Sequence, residues 1–200
     1  MIGMYTFETH SGVDTDAQEL SYGDGNSMTL NTLHNVDAAF GEFWQWFMDS
    51  PYKDNTIVIV TADHAHYNDQ ALLSLVGDAP DYRSCFINRI PLLIYDPVHE
   101  LPARYDADDR TSLDLTPTVL HLLDVHDVRN SFLGTSIFTN QQAGAPLHVA
   151  ALGLDFYGIK NHVVYRDKQV SAADRDFFEG QKEHIRAFYA NEKRNKVFQP

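Results

Sequence analysis

The run Asn55–Thr61 (NTIVIVT) leaves the chain few architectural options. It is rich in β-branched residues and nearly all apolar, which suits a strand covered on both faces, as in a parallel sheet. It ends abruptly at Ala62-Asp63-His64-Ala65-His66, where hydrophobicity gives way to groups that carry chemistry. Pro91-Leu92-Leu93-Ile94-Tyr95 reads as a second buried strand, stopped by Asp96-Pro97.

Helical patterns alternate with these runs. From Ser27, apolar residues recur at intervals of mostly three and four (Met28, Leu30, Leu33, Val36, Ala39, Phe40, Phe43, Phe47, Met48). This predicts an amphipathic helix capped by Ser27 and stopped by Pro51. Ser112 or Asp114 introduces a short helix over Leu115–Leu123, with Pro117 tolerated in its first turn. Asp114 reads as an N-cap rather than a ligand. Ala172–Asn191 reads as a C-terminal amphipathic helix. Further strands are expected at Ile2–Phe7, Leu147–Leu152 and His162–Tyr165. Ser11–Gly25, His99–Asp109 and Thr139–Pro146 read as loops and turns, and Gly134 marks another turn. Helices alternating with apolar strands predict one α/β domain over residues 1–200, built on a mostly parallel sheet with helices on both faces. In such sheets ligands gather at the carboxyl ends of strands, where His10 and Asp63-His64 fall.

Composition narrows the function. Fifteen Lys+Arg against twenty-eight Asp+Glu give a formal charge of −13, a field that repels nucleic acid and anionic headgroups. No nucleic-acid partner is expected. A local anion site remains compatible with that field, because a bound cation and a few Arg or His side chains override it. Cys85 is the only cysteine, so neither an intrachain disulfide nor a thiolate zinc cluster can form. No stretch approaches the ~20 apolar residues of a membrane helix.

A strand ending in Asp-His offers one hard oxygen and one borderline nitrogen ligand on rigid backbone. That pair suits Zn or Mn better than Ca, which prefers all-oxygen shells. Taken alone, Asp63 reads first as the cap of a following helix and only second as a ligand, and the chain then reads as a non-catalytic α/β binding module. His66 adds a further imidazole near the same strand end. His10 alone reads as an ordinary loop histidine. Arg89 reads as a structural residue pairing with an acidic neighbour under the sheet. Tyr82-Arg83-Ser84 lies in a polar stretch that could reach an anionic substrate, and the remaining histidines, His99 among them, have no ligand spacing.

The ordered set of motifs carries a resemblance. Thr56–Tyr67 (TIVIVTADHAHY) resembles the strand and Asp-His motif of the sulfatase and lipoteichoic acid synthase branch of the alkaline phosphatase superfamily. Thr9-His10-Ser11-Gly12 looks like that branch's upstream histidine motif, and Tyr52-Lys53-Asp54-Asn55 like its entry into the strand. Arg89-Ile-Pro-Leu-Leu-Ile resembles the Arg-x-Pro strand after the metal loop. Ser112–Leu123 and Asn130–Phe138 resemble the downstream helix and Gly turn. The likeness spans about residues 4–140 and is closest to the lipoteichoic acid synthase or phosphoglycerol transferase type.

It implies an alkaline phosphatase-like fold of which this chain is the C-terminal part, the N-terminal half being absent. It implies a divalent metal, Mn or Zn, held by Asp63 and His64. His10 matches the histidine that contacts the substrate headgroup or a second metal, and His66 is left open between that role, a metal role and none. The implied reaction is transfer of a phosphoryl or sulfuryl group from an anionic, lipid-derived ester through a covalent intermediate. Its nucleophile is expected upstream of residue 4, so no catalytic nucleophile is expected in these 200 residues and the chain alone is expected to be inactive. A sulfatase using formylglycine is the competing activity. The resemblance further implies a parent protein anchored by N-terminal helices in the cytoplasmic membrane, with this soluble domain outside it.

Overall fold

The computed structural model describes residues 1–10, 20–65, 74, 87–107, 109–126, 131–139 and 147–195, with side chains to 191. His66, Ser11-Gly12, Tyr82-Arg83-Ser84 and Cys85 lie outside the described residues. The fold mixes helix and sheet, and the chain divides into two compact units, Met1–Glu100 and Leu101–Pro200.

In the first unit, α1 (Met28–Asp49) starts where the sequence places it, with Ser27 Oγ accepting from Leu30 N at 3.3 Å. Residues 20–26 are tied to its first turns: Asn35 Oδ1 accepts from Leu20 N, and Asn31 Oδ1 accepts from Tyr22 N. At its end Ser50 donates from both backbone and side chain to Phe47 O, and Pro51 opens a 3-10 turn (Pro51–Asp54). β1 (Val58–Thr61) and β2 (Leu92–Tyr95) pair antiparallel, in the register Val58↔Tyr95 to Thr61↔Leu92. Tyr95 joins ribbon and helix. Its ring meets Trp44 and Phe47 edge-on at 5.3 and 5.5 Å between centroids, and its hydroxyl donates to Lys53 O at 2.9 Å. Phe47 is buried there, whereas Trp46 stays exposed against Tyr52.

The second unit holds α2 (Leu115–Leu122), β3 (His148–Leu152), β4 (Asp155–Lys160), β5 (Val163–Arg166) and α3 (Arg175–Asn195). Its sheet runs β3-β4-β5, antiparallel throughout. Leu147, Val149, Phe156, Val170, Phe178 and Ile185 form the core between sheet and α3, with Phe178 fully enclosed. At the start of α2, the buried Asp114 does not cap with its own turn's N–H groups. It reaches back to accept from Thr111 N (2.9 Å) and across to Thr135 N (2.8 Å).

Two expectations are corrected, and one strand is added. The mostly parallel sheet is replaced by antiparallel pairing at every described strand pair. An apolar run reports how well a strand is covered, but its direction is set by the connections, and two-residue links permit only antiparallel neighbours. β3 and β4 are joined through Gly153-Leu154, with Gly153 at φ +60°, and β4 and β5 through Asn161-His162, at φ +52° and +63°. These are the signatures of tight hairpin turns with left-handed residues. β4 itself was not foreseen. Finally, Ile2–Phe7 is no strand: Ile2, Met4, Tyr5 and Phe7 are exposed and unladdered, because an apolar extended segment becomes a strand only where a neighbour takes up its backbone hydrogen bonds.

Candidate functional site

The carboxyl end of β1 is built from the backbone outward. Thr61, the last ladder residue, turns its hydroxyl across the ribbon and donates to Pro91 O at 2.8 Å, holding the strands together one step beyond their final pair. The chain then bends. Asp63 Oδ1 accepts from His64 N at 3.0 Å, and Ala65 is buried, so the Asp63 carboxylate closes the bend while the side chains of Asp63 and His64 keep contact with solvent.

The His64 ring is oriented by a short hydrogen bond: Nδ1–H donates to Ala65 O at 2.7 Å. In that tautomer Nε2 carries the lone pair, and it lies 3.8 Å from Asp63 Oδ2. A ring nitrogen fixed by a backbone carbonyl, with the other presented as a donor, is the arrangement of metal-ligating histidines. The side chains are 65% (Asp63) and 41% (His64) exposed. Both are therefore accessible to an incoming ion. The donor chemistry fits a divalent metal as two of its ligands; the segment from His66 on, whose N–H groups a helix cap would bind, lies outside the described residues.

His10 sits in an exposed turn in which its N–H donates to Phe7 O at 2.9 Å. Among the described residues no three His, Cys, Asp or Glu side chains converge as a ligand set, so His10 does not complete a cluster with Asp63 and His64 there. His66 is outside the described residues.

Sequence reading passed over the opposite end of the ribbon. After β2, the enclosed carboxylate of Asp96 accepts from Val98 N, His99 N and His99 Nδ1, the last at 2.8 Å. Burial pushes this carboxyl up, but the hydrogen bonds from His99 and from the two backbone N–H groups outweigh it and hold the group below the usual aspartate range. The Asp-Pro-x-His spacing was the available signal. Antiparallel pairing puts this dyad away from Asp63-His64, where it organises the turn after β2. In the second unit, burial lowers the pKa of His148, with Arg110 acting the same way and Asp114 and Asp109 opposing. No described helix is long and apolar enough to cross a membrane.

Comparison with curated proteins gives no match. Comparison with protein families gives the sulfatase family over residues 7–125, a span that contains His10, the whole β1–β2 ribbon, the Asp63-His64 bend and α2. That span is more than half of the chain, and it encloses the two-donor strand end described above. The chain belongs to the sulfatase family.

Proposed function

We propose that the protein works as a metal-dependent phosphoryl-group transferase or phosphoester hydrolase, of the phosphoglycerol or phosphoethanolamine type, acting through a covalent intermediate on an anionic, lipid-derived ester outside the cytoplasmic membrane. Family membership supports hydrolase or transferase chemistry in general. The observation that carries the metal-dependent reading is the His64 ring, tied through Nδ1–H to Ala65 O with Nε2 beside Asp63 Oδ2. Asp63 and His64 would hold a divalent ion, Mn or Zn. When bound, that ion supplies activation of the nucleophile and neutralisation of charge on the transferred group. Asp63 contributes the anionic oxygen, and the Ala65 carbonyl keeps the His64 ring from turning away. His10 is proposed to meet the substrate headgroup or a second ion.

A second reading, sulfate ester hydrolysis, is favoured by the matched family itself. The two differ in the nucleophile, threonine against formylglycine, and in the ester turned over. The test uses the full-length protein, assayed on phosphodiester, phosphomonoester and sulfate-ester substrates alongside elemental analysis. Asp63→Ala and His64→Ala are expected to lose bound metal and about 10²- to 10³-fold in turnover. Metal content and turnover at wild-type levels in both variants would refute the Asp63-His64 metal site, whereas a wild-type protein that turns over none of these esters would refute the enzyme reading and leave a non-catalytic binding module. Turnover confined to sulfate esters would decide for the second reading.

A further inference from the structure

The antiparallel register changes what Arg89 can do. In a parallel sheet Arg89, which precedes its strand, would lie at the opposite edge from Asp63 and His64, which follow theirs. The observed pairing sets Thr61 against Leu92, and the Thr61 hydroxyl reaches Pro91 O at 2.8 Å, so the two chains remain side by side past the last ladder pair. Asp63 and His64, which follow β1, and Arg89, which precedes β2, therefore fall at the same end of the ribbon. Arg89 is exposed. Among the described residues of this ribbon and its shared end, Thr56–Ala65 and Ile87–Tyr95, it is also the only lysine or arginine. In a protein of net charge −13, an anionic ester needs a local cation to enter such a site, and a guanidinium matches the geometry of phosphoryl or sulfuryl oxygens with two parallel hydrogen bonds.

We propose that Arg89 is a substrate-binding residue, holding the anionic oxygens of the transferred phosphoryl or sulfuryl group beside the Asp63-His64 pair. The inference rests on the reading of that pair as the reacting end of the fold. It makes the strand end bipartite, with a ligand pair delivered by β1 and an anion-binding cation delivered by the segment entering β2.

The experiment uses the full-length protein and inorganic phosphate as probe, because phosphate binding by calorimetry needs no turnover. Arg89→Gln is expected to weaken phosphate binding and raise KM for the anionic ester, each roughly 10- to 100-fold. Arg89→Lys is expected to recover part of both, with metal content and the thermal unfolding midpoint at wild-type values in each variant. The proposal is overturned if Arg89→Gln leaves phosphate affinity and KM unchanged, if it lowers only the unfolding midpoint, or if Arg83→Gln produces the loss instead. Failure of the underlying reading looks different: there Asp63→Ala keeps its metal and its turnover, whatever Arg89→Gln does.

Discussion

Gly134 shows how strictly one residue can be specified. A Cβ placed on it would lie 2.3 Å from Leu113 O, 2.5 Å from Leu113 C and 2.7 Å from Asp114 N. All three are backbone atoms and cannot swing aside as a side-chain end would. Gly134→Ala is expected to cost about 1–3 kcal/mol or more, measured by urea unfolding, since the added methyl must push apart the segment that Asp114 holds through Thr135 N. Asp167 is specified by charge. Lys182 Nζ and Arg175 Nη1 lie 2.6 and 2.7 Å from its carboxylate, and the hydrogen bonds from Lys182 and then Arg175 hold its pKa below the ordinary aspartate value. Because the folded pKa is depressed, this contribution to stability is complete above the unfolded value, about 3.9. It is lost as pH falls through the folded one. Asp167→Asn is expected to be less stable than wild type at neutral pH, the difference shrinking as pH drops below about 4, followed as unfolding midpoints across that range.

At the scale of elements, the hairpin between β4 and β5 owes its direction to two residues and its rigidity to a third. Asn161 and His162 both adopt left-handed φ, and the Asp109 carboxylate accepts from the N–H of each, at 2.9 and 2.7 Å. Asp109→Ala is expected to cost about 1 kcal/mol, and His162→Val about 1–2 kcal/mol, because a β-branched side chain crowds the left-handed backbone. Both are checked by chemical denaturation of the whole chain. The helices were legible in advance, because Ser27, Pro51 and the three-four spacing act locally. α3 begins at Arg175 and not at Ala172, since residues 172–174 form the turn in which Asp174 N and Ser171 Oγ are hydrogen bonded. β4 was not legible: Asp155–Lys160 (DFYGIK) contains Gly158 and a charge at each end. Gly158 has the reason that Leu147 and Val170 already pack where its side chain would be.

At the scale of the molecule, the described residues of the two units differ in how much they enclose. Residues 101–200 bury Leu122, Ile137, Leu147, Val149, Phe156, Ile159, Val170, Phe178 and Ile185. Among the described residues of 1–100, only Phe47 and Ala65 are buried apolar side chains. A two-stranded ribbon has little independent stability. The segment 101–200 expressed alone is expected to unfold in one cooperative thermal transition, and 1–100 alone to show none, by circular dichroism and calorimetry. Equal cooperativity in the two halves would refute this.

The sequence by itself determined what depends on near neighbours along the chain: the span of α1, the apolar runs of β1 and β2, and the Asp-His pair placed where β1 stops. Propensity, capping and hydrophobic period are local, so they can be read before folding. Only the tertiary structure decided strand direction, which depends on how the chain turns between runs of similar character. With direction came the rest: Thr61 bonded across to Pro91, Arg89 brought to the Asp63-His64 end, and Asp96 and His99 left at the other. The His64 ring is oriented by a carbonyl that exists as an acceptor only once the bend after β1 has formed.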